Sequence, residues 1–413
     1  MNKEKQKTAL SAVEGLVPEL RFPEFENDGD WEEKKLDEVC EVNPSNKNLP
    51  EEFVYIDLES VKSKKLLKKN IINLDDAPSR AQRLLKNEDV IFQMVRPYQK
   101  NNYFFKPEDN LEYVASTGYA QLRAFESKMY LFQYIHNDNF VNRVLDKCTG
   151  SNYPAINSGG LSKIRVEIPK PKEQQKIANC LSSLDNLITT ETEKLDHLKD
   201  HKKGLLQQLF PAKGETKPQF RFSEFKNDGD WIETILDDVA DYANGKAHEK
   251  EISETGKYKV VNSKFISTDG RVVKFTDSAN LKANVGDILM VLSDIPNGKA
   301  IAKCFYVEKE DTYTVNQRIC KITPTGIDNK FLFYIQNRNS YFLAFDDGVK
   351  QTNLRKDTVL SFPFLKPKST KEQQKIANCL SCADDLIEAQ KVKIKALKKH
   401  KKGLMQQLFP NSL

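Results

Sequence analysis

Apolar residues recur at alternating three- and four-residue steps along two long stretches of this chain. In the first stretch the seam is Ile177, Leu181, Leu184, Ile188, Leu195, Leu198, Leu205 and Leu209, with Glu191 and Lys202 in its gaps. In the second it is Ile376, Leu380, Ala383, Ile387, Ile394, Leu397, Leu404 and Leu408, with Gln390 and Lys401 in the gaps. These are the a and d positions of a coiled coil. Pro171 and Pro211 bracket the first stretch and supply start and stop signals. A helix of about 39 residues is expected there, a rod of roughly 58 Å. The coinciding polar gaps predict that each helix is the other's partner in one register, because polar seam residues set register at a cost in stability. Antiparallel pairing is expected, since the intervening chain leaves the C-terminal end of one helix and enters the N-terminal end of the other. The alternative is that each stripe lies on its own globular domain.

Between the rods the period changes. FVYIDLES (53–60), DVIFQMVRPY (89–98), LEYVASTGYAQLRAF (111–125) and KIRVEIP (163–169) read as strands, MYLFQYIHNDNFVNRVLD (129–146) as a helix and NSGGL (157–161) as a turn. The second interior has the same grammar. YKVVNSKFI, RVVKF, GDILMVLS, KAIAKCFYV and TVNQRICKI are strand candidates, DNKFLFYIQNRNSYFLAF (328–345) is a helix, and VLSFPFLKP feeds the second rod. The predicted class is α+β: two similar mixed α/β domains separated by two long helices packed as an antiparallel coiled coil. The expected divisions are an arm at 1–17, a domain at 18–170, a helix at 171–211, a domain at 212–367, and a helix with tail at 368–413.

The frame around these interiors is written twice. PELRFPEFENDGDWEEKKLDEV (18–39) returns at 218–239 as PQFRFSEFKNDGDWIETILDDV, and residues 172–211 match 371–410 at 27 of 40 positions. The interiors show no comparable likeness. A fixed frame with free contents implies two equivalent placements of two different tools. The period is too long for a solenoid unit, and a length of 413 residues suits two or more domains. Within the frame, Glu173 and Glu372 sit where a helix dipole favours an acid. Trp31 and Trp231 read as structural anchors, and Phe22, Phe25, Phe222 and Phe225 as braces of each domain or of a partner contact. Gly204 and Gly403 fall inside the rods, where each costs about 1 kcal/mol against alanine, so a packing need or slight kink is expected. The QQLFP tails read as docking surfaces or caps.

Composition narrows the chemistry. No window approaches a membrane span, and the first twenty residues lack the apolar core of a signal peptide; a cytoplasmic protein is expected. Seven cysteines, an odd number, argue against a disulfide scaffold, and Cys379-x-x-Cys382 has no second pair to complete a zinc site. The net charge of +5 is modest and concentrated near the ends of the rods. There is no phosphate-binding GxxxxGK[ST] loop or convincing GxGxxG, and Asn43-Pro44-Ser45 does not complete the motif of amino-methyltransferases. The five histidines suggest no catalytic triad. The expectation is a chain that binds and catalyses nothing.

The paired FxxFxxDGDW segments (22–31 and 222–231), the KEQQKIA junctions after IP and KP, and the helices ending in KKGLxQQLFP resemble the DNA-specificity subunit of type I restriction-modification systems. The likeness covers essentially the whole chain. It implies two target-recognition domains, each reading half of a bipartite, asymmetric site in double-stranded DNA, and a helical spacer that docks two modification subunits. Those methyltransferase partners would carry S-adenosylmethionine, and restriction subunits would carry ATPase, translocase and nuclease functions with ATP and Mg; this chain would hold no cofactor and no metal. Candidate DNA contacts are Arg96, Tyr98, Lys100, Tyr119, Gln121, Arg123 and Ser158 in the first domain. In the second they are Asn262, Ser263, Lys264, Asn316, Gln317, Arg318, Gln351, Asn353 and Arg355. Arg and Lys suit guanine or phosphate, and Asn and Gln suit adenine. The competing reading is a coiled-coil protein adaptor without DNA specificity.

Overall fold

The computed structural model describes residues 16–46, 48–295 and 298–410; the expected N-terminal arm lies almost wholly outside them. Contacts divide the chain into two units. One combines residues up to Thr192 with those from Val392 onward, and the other is Glu193–Lys391.

In the first unit, a sheet orders the strands Asn70–Asn73, Glu52–Ile56, Tyr113–Ser116 and Ala81–Leu84. A second orders Cys40–Val42, Tyr119–Ala124, Val90–Gln93 and Tyr103–Phe104. The two sheets are chained by one hydrophobic run, 111–125, which breaks into two strands at Thr117-Gly118. In the second unit a five-stranded sheet orders Ile252–Ser253, Phe275–Thr276, Tyr258–Val261, Tyr313–Val315 and Lys282–Ala283. Its four-stranded companion orders Ala240–Asn244, Ile319–Pro324, Ile288–Val291 and Cys304–Tyr306. Each unit has a parallel strand pair at the matching place, Tyr113–Ser116 on Glu52–Ile56 and Tyr313–Val315 on Tyr258–Val261. The topology therefore repeats where the letters do not.

Several elements differ from expectation. The stretch 129–146 is two helices, Lys128–Tyr134 and Asp138–Asp146, because the Asn137 side chain caps the second by accepting from Asn139 N. Asn339 does the same in the second unit, dividing 328–345 into Asn329–Gln336 and Ser340–Leu343. NSGGL is no turn: Asn157 caps a short helix, Ser158–Ser162. YKVVNSKFI ends as a strand at Val261 and continues as the helix Ser263–Ser267, capped by Asn262. In each case a short polar side chain satisfied backbone N–H groups that a hydrophobicity pattern does not weigh.

The two long helices are Pro171–Leu209 and Thr370–Leu408. Each starts in one unit and ends in the other. In the first unit Asp185 meets Lys401 at 2.5 Å and Glu191 meets Lys393 at 2.5 Å, so the helices run antiparallel. In the second unit Lys202 meets Asp384 at 2.6 Å. Asp185 and Asp384 occupy matching repeat positions, as do Lys202 and Lys401. One ion pair thus occurs twice with its partners exchanged. Along the seam, Ile177, Leu181, Leu209, Ile376, Leu380, Ala383, Ile387, Ile394 and Leu408 are buried. Leu184, Ile188, Leu195, Leu198, Leu205, Leu397 and Leu404 are half-buried, whereas Leu187, Leu386 and Val392, off the seam, are exposed. The gap residues Glu191, Gln390 and Lys401 are buried.

Burial would raise the Asp185 carboxyl, but Lys64, Lys401 and a hydrogen bond from Gln133 outweigh it and hold it below the ordinary carboxylate range. A carboxylate depressed in the folded state stabilises above its unfolded value and loses that contribution as pH falls. Asp185→Asn is therefore expected to flatten the fall of the unfolding midpoint between about pH 5 and pH 2. Equal slopes for both proteins in an acid denaturation series would contradict this.

The repeated frame is explained by packing across each unit. Glu173 accepts from Arg21 Nε and Nη2 at 2.8 and 2.7 Å and from Trp31 Nε1 at 3.3 Å. Glu372 does the same with Arg221 at 2.8 and 2.8 Å and Trp231 at 3.3 Å. Arg21 and Arg221 also donate to the carbonyls of Gly29 and Gly229, which sit at φ 78° and 75°. That left-handed turn, which favours glycine, is what the DGDW motif encodes. The Leu-Phe pairs of the QQLFP tails pack into the cores, while the glutamines stay exposed. Phe409 contacts Trp31, Tyr130 and Tyr134 of the first unit at centroid distances of 6.5, 5.9 and 5.4 Å. Phe210 contacts Trp231 and Phe331 of the second at 6.2 and 5.4 Å. Each domain is closed by the end of the helix that follows the other domain.

Candidate nucleic-acid interface

A shared backbone construction exposes one edge of each domain. In the first, Met94 N donates to Gly118 O at 3.0 Å and Ile156 N donates to Met94 O at 3.1 Å. In the second, Leu292 N donates to Arg318 O at 3.0 Å and Leu354 N donates to Leu292 O at 2.8 Å. A strand end, a strand turn and a loop before a short helix are thus tied together in both.

The side chains presented there differ. In the first domain Arg96 (φ 55°) and Lys100 (φ 53°) flank the turn Pro97–Gln99 in left-handed conformations unusual for non-glycine residues. The Arg96 guanidinium lies 4.1 Å from the ring centre of Tyr153, and both Tyr98 and Tyr153 are exposed. Lys100 is engaged with Asp138 at 2.5 Å and with the His136 carbonyl at 2.8 Å, so it anchors the loop. Ser158 Oγ accepts from Asn43 Nδ2 at 2.7 Å. In the second domain Gln351 donates to Ser293 Oγ at 2.6 Å, and Arg318, Asn353 and Arg355 are exposed. Gln317 reaches Glu249 at 3.0 Å, and the Asn316 side-chain Oδ1 accepts from Gln317 N. Asn262 is spent as a helix cap accepting from Phe265 N, Ser263 is half-buried, and Lys264 is exposed.

Three candidates need correction. Tyr119 and Gln121 are fully buried, and burial pushes the Tyr119 hydroxyl well up. Gln121 donates to Leu84 O and to Asp89. Arg123 grips the buried Asp89 carboxylate at 2.9 and 2.8 Å. The strand Tyr119–Ala124 is the second of four in its sheet, and its side chains have partners on both faces. These three hold the edge in place and leave little for a base. Tyr153 was missed because the GSNYP loop (150–154) carries no periodic signal.

A family model described as the type I restriction modification DNA specificity domain matches residues 28–200 and again 228–399. The chain belongs to that family. It is 27% identical over 284 residues to the type I restriction enzyme MjaVIII specificity subunit of Methanocaldococcus jannaschii, covering 64% of this chain and 65% of that protein. It is 24% identical over 189 residues to the HindI specificity subunit of Haemophilus influenzae, covering 44% and 41%. The chain thus spans under two thirds of the length of these two relatives. A solved S subunit of a type I system from M. genitalium shares the fold with a TM-score of 0.59 at 15% identity, over 96% of this chain and 100% of that one. A chain from a study of complex assembly and conformational transition of a type I system gives 0.57 at 20% identity, over 93% and 98%. The specificity-domain match falls twice, once on each repeat. Among the described residues, no group of three or more His, Cys, Asp and Glu side chains is placed to hold a metal, and no helix is long and apolar enough to cross a membrane.

Proposed function

We propose that this specificity-family chain is the non-catalytic subunit that selects a bipartite, asymmetric double-stranded DNA target for a type I system. Partner chains would methylate adenine and restrict, bringing S-adenosylmethionine, ATP and Mg, in the cytoplasm. The observation that carries this reading is the repeated edge with unlike chemistry. The backbone ties are the same in both domains, yet one offers Arg96 on Tyr153 with Tyr98 and the other Arg318, Gln351, Asn353 and Arg355. Guanidinium and amide groups suit base edges and phosphates, and unlike sets on like scaffolds suit two unlike half-sites. The residual candidates Ser158, Lys264, Asn316 and Gln317 flank those edges.

The long helices would set the gap between half-sites, as dimer geometry does elsewhere. Adding one heptad to both helices at matching positions lengthens each by about 10 Å, close to three base pairs of duplex at about 3.4 Å each. The assembled methyltransferase is expected to methylate a motif with a correspondingly wider gap, read by sequencing modified DNA. An unchanged gap would defeat the ruler. For the unaltered protein the same sequencing separates the two readings: a fixed-gap, two-part motif supports target selection, and modification without sequence preference supports an adaptor.

Two modification subunits, one per repeat, fit the duplicated frame. Gly204 and Gly403 lie inside the helices with open space where a Cβ would stand, so no packing among the described residues requires them. Close approach of a partner would. Gly403→Ala is expected to stabilise the chain alone by up to about 1 kcal/mol while weakening capture of the modification subunit. Unimpaired assembly would remove the glycine from the partner surface.

A further inference from the structure

A cleft of about 850 Å³ opens within the first unit, between the rods and the domain. Its walls carry six lysines, at 64, 65, 100, 398, 401 and 402, against two aspartates, Asp138 and Asp185. The charges are arranged as two unbalanced clusters. Asp185 Oδ2 lies 3.2 Å from Lys64 and 2.5 Å from Lys401. Asp138 lies 2.5 Å from Lys100 and 3.8 Å from Lys402. Each carboxylate therefore serves two ammonium groups. Burial, followed by repulsion from Lys64, pushes Lys401 down to about 8, which registers the uncompensated positive field.

The second unit shows what balance looks like at the matching place. There Lys202 faces Asp384 at 2.6 Å, and the same carboxylate accepts from Tyr334 at 2.9 Å. The additional cation of the first unit comes from a hairpin that follows the strand Glu52–Ile56 and is replaced by a helix at the matching place of the second. Strands Val61–Lys62 and Lys65–Leu66 are joined by Ser63 and Lys64 at φ 50° and 68°. Both central residues of such a turn need the left-handed region, where Asn-Gly is the favoured pair. Here a strained Ser-Lys pair holds an ammonium against a helix carboxylate that already has one. After the corresponding strand the second unit forms the helix Ser263–Ser267 instead.

Two buried polar atoms on the cleft wall also lack partners. Ser182 Oγ is one; its repeat counterpart Ser381 accepts from Lys330 at 3.1 Å, whereas the second residue of the first unit's matching helix is Met129, which offers no donor. The other is His136 Nε2, on a ring that is 6% exposed and whose Nδ1 is bound to the Phe132 carbonyl at 2.6 Å. Buried polar atoms are ordinarily satisfied, and these two lie beside surplus cations. A hydroxyl donates readily to an anionic oxygen. An anion seated among Lys64 and Lys401 would also offset the field that, after burial itself, keeps the His136 ring neutral.

We propose that this cleft is a binding site for a phosphate group, held by the two Lys-Asp-Lys clusters and the Ser182 hydroxyl, with Lys64 as the residue that creates it. The group can belong to a small polyphosphate-bearing ligand or to a DNA strand. This goes beyond target selection, and the two ideas fail separately, because target choice is read from the methylated motif and this site from phosphate binding.

The test is titration of the full chain with inorganic pyrophosphate, followed by calorimetry. One saturable site is expected, weakened at least tenfold in Lys64→Ala and several-fold in Lys65→Ala, with the tryptophan emission spectra of both variants still those of the folded protein. A non-target duplex is then added. Displacement of pyrophosphate, together with weaker duplex binding by Lys64→Ala, identifies a DNA phosphate as the natural occupant. Duplex binding without displacement identifies a separate small ligand. No saturable binding, or binding indifferent to Lys64, overturns the site.

Discussion

Replacing Phe409 with alanine is expected to destabilise the first domain by about 3–5 kcal/mol, although the residue lies beyond the far end of the second long helix. The ring is 1% exposed and touches Trp31, Tyr130 and Tyr134 edge-on. Truncation removes its burial and leaves a cavity among three large aromatic rings that cannot all move inward. The sequence has two tryptophans, and each reports one domain. In a Trp231→Phe background, Trp31 fluorescence should follow an unfolding transition displaced to markedly lower denaturant by Phe409→Ala. The mirror experiment is Phe210→Ala, read through Trp231 in a Trp31→Phe background. If Phe409→Ala moved the Trp231 transition and spared Trp31, the crossed wiring would be wrong.

Glu173→Ala should have an effect of similar size for a different reason. The carboxylate is buried and accepts from both arms of the Arg21 guanidinium and from Trp31, and that hydrogen bonding is the main cause raising the Arg21 pKa. The Arg21 side chain is itself only 7% exposed. Removing one partner strands the other charge in a largely desolvated place, at a cost of up to about 3–5 kcal/mol. Replacing both is less harmful, because neither desolvated charge then remains. Denaturation of Glu173→Ala, Arg21→Met and the double variant Arg21→Met with Glu173→Met should place the double variant above Glu173→Ala in stability. Additive losses would show that the orphaned charge is not the cause.

The helices and their seam were legible because a three-four period over nine steps has few other physical meanings. The frame was legible as a frame but not as a mechanism. Glu173 read as an acid favourable to a helix dipole, whereas its partners lie 152 and 142 positions away in sequence. No local pattern encodes that distance. The tails stayed open between docking surface and cap for a related reason: LFP after a polar QQ suits either, and only the fold reveals the aromatic cage around Phe409. Among the candidate DNA contacts, polarity was a poor guide. Gln121 and Arg123 are polar because they satisfy a buried Asp89, and the strand's alternation alone does not distinguish that from exposure. Lys64 carried no signal as a lone lysine in a lysine-rich hairpin. Its position opposite Asp185 arises from tertiary structure, and its left-handed backbone is the physical mark that sets it apart.

Closure of each domain by a distant tail also has a consequence for biogenesis. The first domain's strands are complete by Ile168, yet Leu408 and Phe409 belong to its core. At about 5–20 residues per second of translation, roughly ten to fifty seconds pass before those plugs leave the ribosome. Until then Trp31 and Tyr130 border an unfilled apolar socket, a nascent intermediate that chaperones would be needed to shield.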